Sequence, residues 1–224
     1  MASPIQSSRF SLATTLYAAL TGGLTWIAVV LQFHITTNKA IEDGLGFWIG
    51  ATRYFGYFTV LTNLLVAIAL TVPLIVPWHR ISSFLTHPST RTAIAGYIIM
   101  VGVAYYLLLK NVWNPQGLQL FVHHLLHSVI PIAYVMFWAM FVPKTRLQWR
   151  DLLVWLIYPL IYLAIALMRG ALFNWYPYPF LEVDKLGYPE VLWNSLELLL
   201  GFAVVSLGLI GIGRLAGYWL KQNQ

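Results

Sequence analysis

Two short segments hold side chains whose types and spacing suit covalent chemistry. Thr59, Thr62 and Asn63 stand at i, i+3 and i+4, which on a helix puts two hydroxyls and an amide on one face. His123, His124 and His127 follow in a second segment, where His127 shares a helical face with His123 at i+4 spacing and with His124 at i+3. A threonine hydroxyl is a weak nucleophile at neutral pH and gains reactivity when a neighbouring base takes its proton during attack. Histidine is the usual base. Such a pair attacks an ester carbonyl, releases the alcohol and hands the acyl group to water. The oxyanion needs donors, which Asn63, a backbone N–H or a second histidine could supply. Metal chemistry is the competing reading, because His123 and His127 can chelate one ion with Glu197 or His34 as a third ligand. No HExxH pattern and no cysteine is present, so the expectation is a site with neither metal nor cofactor.

The elements that must position these residues are membrane helices. Only 9% of the 224 residues are charged and 59% are hydrophobic, whereas a soluble domain carries about 25% charged residues. The same figures exclude a disordered chain, a disulfide scaffold and a nucleic-acid module, and the net charge of +6 is read as topology. A helix needs about 20 mostly apolar residues to cross ~30 Å of hydrocarbon. Stretches free of Asp, Glu, Lys and Arg run over 10–38, 54–79, 92–109, 111–143 and 152–168, and 191–213 is broken only by Glu197. These predict an all-α, single-domain, six-helix membrane bundle with spans near 10–34, 54–78, 92–109, 118–142, 152–169 and 191–216. The apolar part of the first stretch is too long for a signal peptide, so it is expected to stay in the mature protein. Continuous apolar runs disfavour a barrel, and the missing internal repeat removes a common transporter signature.

Eight Lys and Arg residues fall on one side of six spans (Arg9, Arg80, Arg91, Lys144, Arg146, Arg150, Arg214, Lys221) and five on the other (Lys39, Arg53, Lys110, Arg169, Lys185). The positive-inside rule then predicts both termini in the cytoplasm. Counted from the expected outer boundary, Thr59 lies ~8 Å, Thr62 ~12 Å, His127 ~14 Å and Glu197 ~9 Å deep, all in the outer half. A site at that depth is reached sideways by a lipid, which favours a fatty-acyl ester over a polar substrate. Membrane lipids and a hydrophobic acyl substrate are the expected partners, and nucleic acid is not.

The segment from Phe173 to Tyr188 is rich in Trp and Tyr and is stiffened by Pro177 and Pro179, so it is read as a cap over the outer cavity as well as an interfacial belt. Glu182 could pair with Arg169. Glu197, a carboxylate at bilayer depth, needs a partner, for which Arg169, Asn194 and His127 are available. His123, His124, Glu197, Arg169, Tyr178 and Phe180 are the expected substrate contacts, around a catalytic set of Thr59, Thr62, Asn63 and His127. Gly208, Gly211, Gly213 and Gly217 suit close helix packing, and Lys144, Arg146 and Arg150 form a basic patch for anionic headgroups. The same polar residues would equally serve a non-enzymatic lipid or solute carrier.

Three segments carry a resemblance: Tyr57-Phe58-Thr59 with Leu61-Thr62-Asn63 after it, His124-Leu125-Leu126-His127-Ser128 with Pro131 following, and Trp175-Tyr176-Pro177-Tyr178-Pro179-Phe180-Leu181-Glu182. Together with the Trp113-to-Gly117 lead-in to the fourth span, they resemble the androgen-induced-gene-like (FAR-17a-like) integral membrane family, and most of all its bacterial six-span relatives. The resemblance covers most of spans two to six. Animal members are threonine hydrolases that cleave fatty-acid esters of hydroxy fatty acids. It therefore implies His127 as the functional histidine, with Thr59 matching the family threonine in sequence and Thr62 its rival in depth. The chain departs from the animal pattern after Thr59 and at His123, where those proteins have Asn.

Overall fold

The computed structural model describes residues 10–145 and 147–222, with side chains described as far as Leu215. Arg9 and Arg146, counted above for topology, lie outside the described residues. No strand occurs among the described residues, and six helices are long and apolar enough to cross a membrane. The chain is an integral membrane protein with an all-α fold. The spans are α1 (Leu12–Glu42), α3 (Phe58–Ile75), α5 (Pro88–Leu109), α6 (Gly117–Phe141), α7 (Asp151–Phe173) and α8 (Val183–Gln222). Two short helices, α2 (Phe47–Tyr54) and α4 (Arg80–Thr86), lie in connections. An even number of spans brings both termini to one end; the other is called the site end below.

Local chemistry sets the helix limits where apolar length alone misplaced them. The second stretch does not start at Tyr54, because the chain ends α2 there and turns through Phe55–Tyr57 before α3 begins. That turn places Thr59 at the second position of α3, in its first turn, and not ~8 Å along the span. α2 itself follows Gly44 and Gly46, both at positive φ (74° and 84°), and docks on the last turns of α1. α5 starts earlier than expected, at Pro88, where His87 Nδ1 accepts from the Ser89 N–H at 3.3 Å. α8 also starts early and is kinked at Gly187 (φ 76°), two residues before Pro189.

The core sits where α3, α5 and α6 meet, with α1 packed on α3 and α6. Leu70, Ile94, Ile98, Leu126, Ile130, Tyr134 and Phe137 fill it. Lipid tails are as apolar as these side chains, so packing and interhelical hydrogen bonds must hold the bundle together. Tyr97 donates to the Trp155 carbonyl (2.7 Å), Tyr54 to the Val29 carbonyl (2.8 Å) and Trp138 Nε1 to Thr92 Oγ1 (2.9 Å). α5 is the most buried span and α7 the least; α7 packs chiefly on α8. This looser pair leaves room against α5 and α3 for the cavities described below.

Candidate functional site

At the site end, the first turn of α3, the middle of α6 and the segment after α7 converge on Thr59. Thr59 Oγ1 lies 3.3 Å from His127 Nε2, and the other ring nitrogen, Nδ1, is 3.0 Å from the His123 carbonyl. A carbonyl only accepts, so Nδ1 carries the proton and Nε2 presents its lone pair to the threonine hydroxyl. That is the tautomer a general base requires. His127 lies within a π-helical turn, Leu125–Val129, and a second such turn, Tyr105–Leu109, carries the tyrosine ring that packs 4.7 Å from the His127 ring. A π turn widens a helix and shifts the side chains that follow around its axis, which is a recurrent way of aiming a functional group.

Tyr178 completes the cluster. Its hydroxyl oxygen accepts from the Thr59 backbone N–H at 3.3 Å and lies 3.4 Å from Thr59 Oγ1. Thr59 N–H is one of the first amides of α3, which have no partner within the helix and sit at its positive end. Since the Tyr178 oxygen accepts that amide, its own O–H is free to donate. Burial pushes the Tyr178 phenol above the ordinary tyrosine range, and its bonds with Thr59 offset this only in part. It is therefore a neutral donor over the physiological range.

The segment carrying Tyr178 is fixed at several points. Asn174 ends α7 in the left-handed region (φ 49°), Asn194 Nδ2 donates to the Phe180 carbonyl at 3.1 Å, and Leu181 is buried against Ala166 and Val191. Tyr178 stacks on Phe180 with the rings 5.1 Å apart and nearly parallel. Tyr162, from α7, donates to the Gly56 carbonyl at 2.9 Å and so ties that helix to the turn before α3.

Beside Thr59 opens a cavity of about 90 Å³ between α3, α5, α7 and α8. Its walls are almost wholly apolar, with Val101, Ala104, Leu163, Leu199 and Phe202 along them and Tyr178, Phe180 and Leu181 across the site end. Thr59 is one of the few hydroxyl-bearing residues lining it.

Several residues named from the sequence stand elsewhere. Thr62 is fully buried, one turn along α3 on another azimuth, and its hydroxyl pairs with Tyr158 at 3.2 Å. Asn63 offers no oxyanion donor, since its amide nitrogen donates to the Thr59 carbonyl at 2.8 Å and to the Leu126 carbonyl at 3.3 Å, joining α3 to α6. His123 is buried behind His127, its ring 4.2 Å away, with neither ring nitrogen hydrogen-bonded among the described residues. His124 faces outward from α6. Glu197 is exposed on α8 among Trp193, Leu196 and Leu200, and it pairs with neither Arg169 nor His127. Glu182 pairs with Lys185 at 2.9 Å instead of Arg169. Arg169 lies over the Trp175 ring, 4.3 Å from its centroid. Hydropathy gives a residue's depth and leaves its azimuth open, so Thr62 and Glu197 lie at a suitable depth yet face other neighbours.

His34 is likewise exposed and bonded to Asn38 at 3.0 Å. Both third ligands considered for a metal thus lie away from His123 and His127, and no group of three potential ligands forms among the described residues. Tyr105 and Tyr158 carry no chemical signal in the sequence, and Arg53 enters there only as a charge for topology. For tyrosines and an arginine near span ends, interfacial anchoring is the ordinary explanation. No protein-family model, curated protein or solved structure matches the chain.

Proposed function

We propose that the protein is a membrane-embedded hydrolase of lipid-like fatty-acyl esters, with Thr59 as nucleophile and His127 as general base. The observation that carries this reading is the 3.3 Å contact from Thr59 Oγ1 to His127 Nε2, made at the polar edge of an apolar cavity. Such contacts are commonly long before substrate arrives and tighten in the reacting complex.

The acyl chain lies in the cavity and its ester carbonyl meets Thr59. Thr59 Oγ bonds to the carbonyl carbon as its proton passes to His127 Nε2. The resulting oxyanion is stabilised by the Tyr178 O–H and by the positive end of α3. Collapse breaks the bond to the alkoxy oxygen, which takes the proton from His127 and leaves as the alcohol. Water then gives a proton to His127 and attacks the acyl-threonine, and the fatty acid departs as Thr59 recovers its proton. The backbone bond from His127 Nδ1 to His123 holds the imidazole in register throughout.

Similarity of the three sequence segments to a family of intramembrane threonine hydrolases supports the same assignment. The charge bias supports a site facing the extracytoplasmic leaflet, with both termini cytoplasmic, and the likeness to bacterial six-span proteins supports a bacterial plasma membrane. The test is hydrolysis of a long-chain p-nitrophenyl ester by the purified protein. Thr59→Val should lose at least about a hundredfold in kcat/KM, while Thr62→Val stays within severalfold of wild type. Equal activity of Thr59→Val and wild type would leave a lipid-binding or carrier role for the same cavity.

A further inference from the structure

Behind the candidate active site a second groove runs along the outside of α7, and its single charged lining residue is Arg169. Tyr158, Ile161, Tyr162, Ile165, Ala166 and Arg169 line it at i, i+3, i+4, i+7, i+8 and i+11, so they form one continuous stripe of the helix. Phe55 and Leu61 form part of the opposite wall, and the volume is about 120 Å³. Tyr162 is the partition, lining both this groove and the Thr59 cavity. From Tyr158 to Arg169 the helix rises ~16 Å, about half the ~30 Å hydrocarbon thickness. The groove thus has the length of one leaflet and a cation at its polar end.

That cation is not alone. Arg53 of α2 lies 5.5 Å from the Trp175 ring centroid and Arg169 lies 4.3 Å from the same ring, so two half-buried guanidiniums converge on one indole. Neither takes part in an ion pair among the described residues. Gly56 makes this possible, because a Cβ there would run into the Arg169 guanidinium. A lone arginine near a helix end is explained by snorkelling to water. Two arginines held at one indole, one of them closing the end of an apolar groove one leaflet long, fit a ligand with a double demand: an acyl chain and an anionic head. Guanidinium forks bind phosphate oxygens two at a time.

We propose that this groove holds a phospholipid from the leaflet on the site side, with an acyl chain along α7 and its phosphate between Arg169 and Arg53. The bound lipid braces Trp175 and, through it, the segment that carries Tyr178. The assignment stands independently of the hydrolytic reading, since it uses neither Thr59 nor His127.

Native mass spectrometry of the full-length protein, delipidated in detergent and titrated with palmitoyl-oleoyl phosphatidylglycerol, tests it. One lipid should be retained per protein, and Arg169→Gln should weaken retention about tenfold. Ile165→Trp, which fills the groove and leaves both arginines in place, should weaken it similarly. Thr59→Val should bind as wild type does, which also separates failure here from failure of the catalytic assignment. Dioleoylglycerol, which has the chains but no phosphate, and oleate, which offers a carboxylate, should each bind at least about tenfold more weakly. Retention unchanged in both Arg169→Gln and Ile165→Trp, or dioleoylglycerol or oleate held as tightly as the phospholipid, would overturn the proposal.

Discussion

Thr59 and Thr62 are three residues apart on one helix, yet only one meets a base. Their difference is one of partner: Thr59 faces His127 and Tyr178, whereas the Thr62 hydroxyl is bonded to Tyr158. The sequence made both candidates legible by their spacing to Asn63, but the choice needed the phase of α3, which is set by where its first turn begins. Tyr178 was legible as a substrate contact within an aromatic segment, not as a partner of Thr59. Its donor role follows from accepting the Thr59 amide while keeping its own proton. Tyr178→Phe should therefore lower kcat by about a hundredfold and leave KM within severalfold, the usual cost of one oxyanion donor, as steady-state ester hydrolysis will show. The pH dependence has a definite sign. A phenol raised above its ordinary range keeps its proton as pH climbs, so the wild-type to Tyr178→Phe rate ratio should stay flat from about pH 7 to about pH 9. A ratio that collapses before about pH 9 would contradict a buried neutral donor.

At the scale of elements, the spans were readable because a bilayer demands apolar length, while their ends were not. The end of α2 at Tyr54, the turn before Phe58 and the kink at Gly187 are local backbone events inside or beside apolar runs, to which a hydropathy count is blind. The π turns at Tyr105–Leu109 and Leu125–Val129 are equally silent in sequence, although one of them contains His127. Placement of Tyr178 depends on how the segment after α7 is seated. Gly170 carries the Tyr176 ring directly against its Cα, and a Cβ there would strike that ring. Gly170→Ala should displace Tyr176 and with it the neighbouring Tyr178, lowering kcat about tenfold while the melting temperature moves by only a few degrees. A variant that melts far lower yet retains full kcat per folded molecule would place the importance of Gly170 in the packing of α7.

For the molecule as a whole, the arrangement amounts to a tight bundle of α1, α3, α5 and α6 with α7 and α8 set more loosely against it. That asymmetry creates an apolar cavity whose polar edge is Thr59, and it predicts selectivity for chain length. Ala104 lines the cavity at the α5 wall. Ala104→Phe should cut kcat/KM for a p-nitrophenyl palmitate about tenfold or more and spare p-nitrophenyl acetate, which has no chain to accommodate. Equal losses for both esters would mean that the cavity does not hold the acyl group.

Everything catalytic here depends on Thr59 being the nucleophile that takes up the acyl group, which is tested by locating the bond it forms. Membranes containing the protein are treated with a long-chain fluorophosphonate, and the adduct is mapped by peptide mass spectrometry. A single adduct is expected on Thr59, absent from Thr59→Val and strongly reduced in His127→Gln, with Thr62→Val labelled like wild type. An adduct on another residue, or labelling undiminished in Thr59→Val, would contradict it.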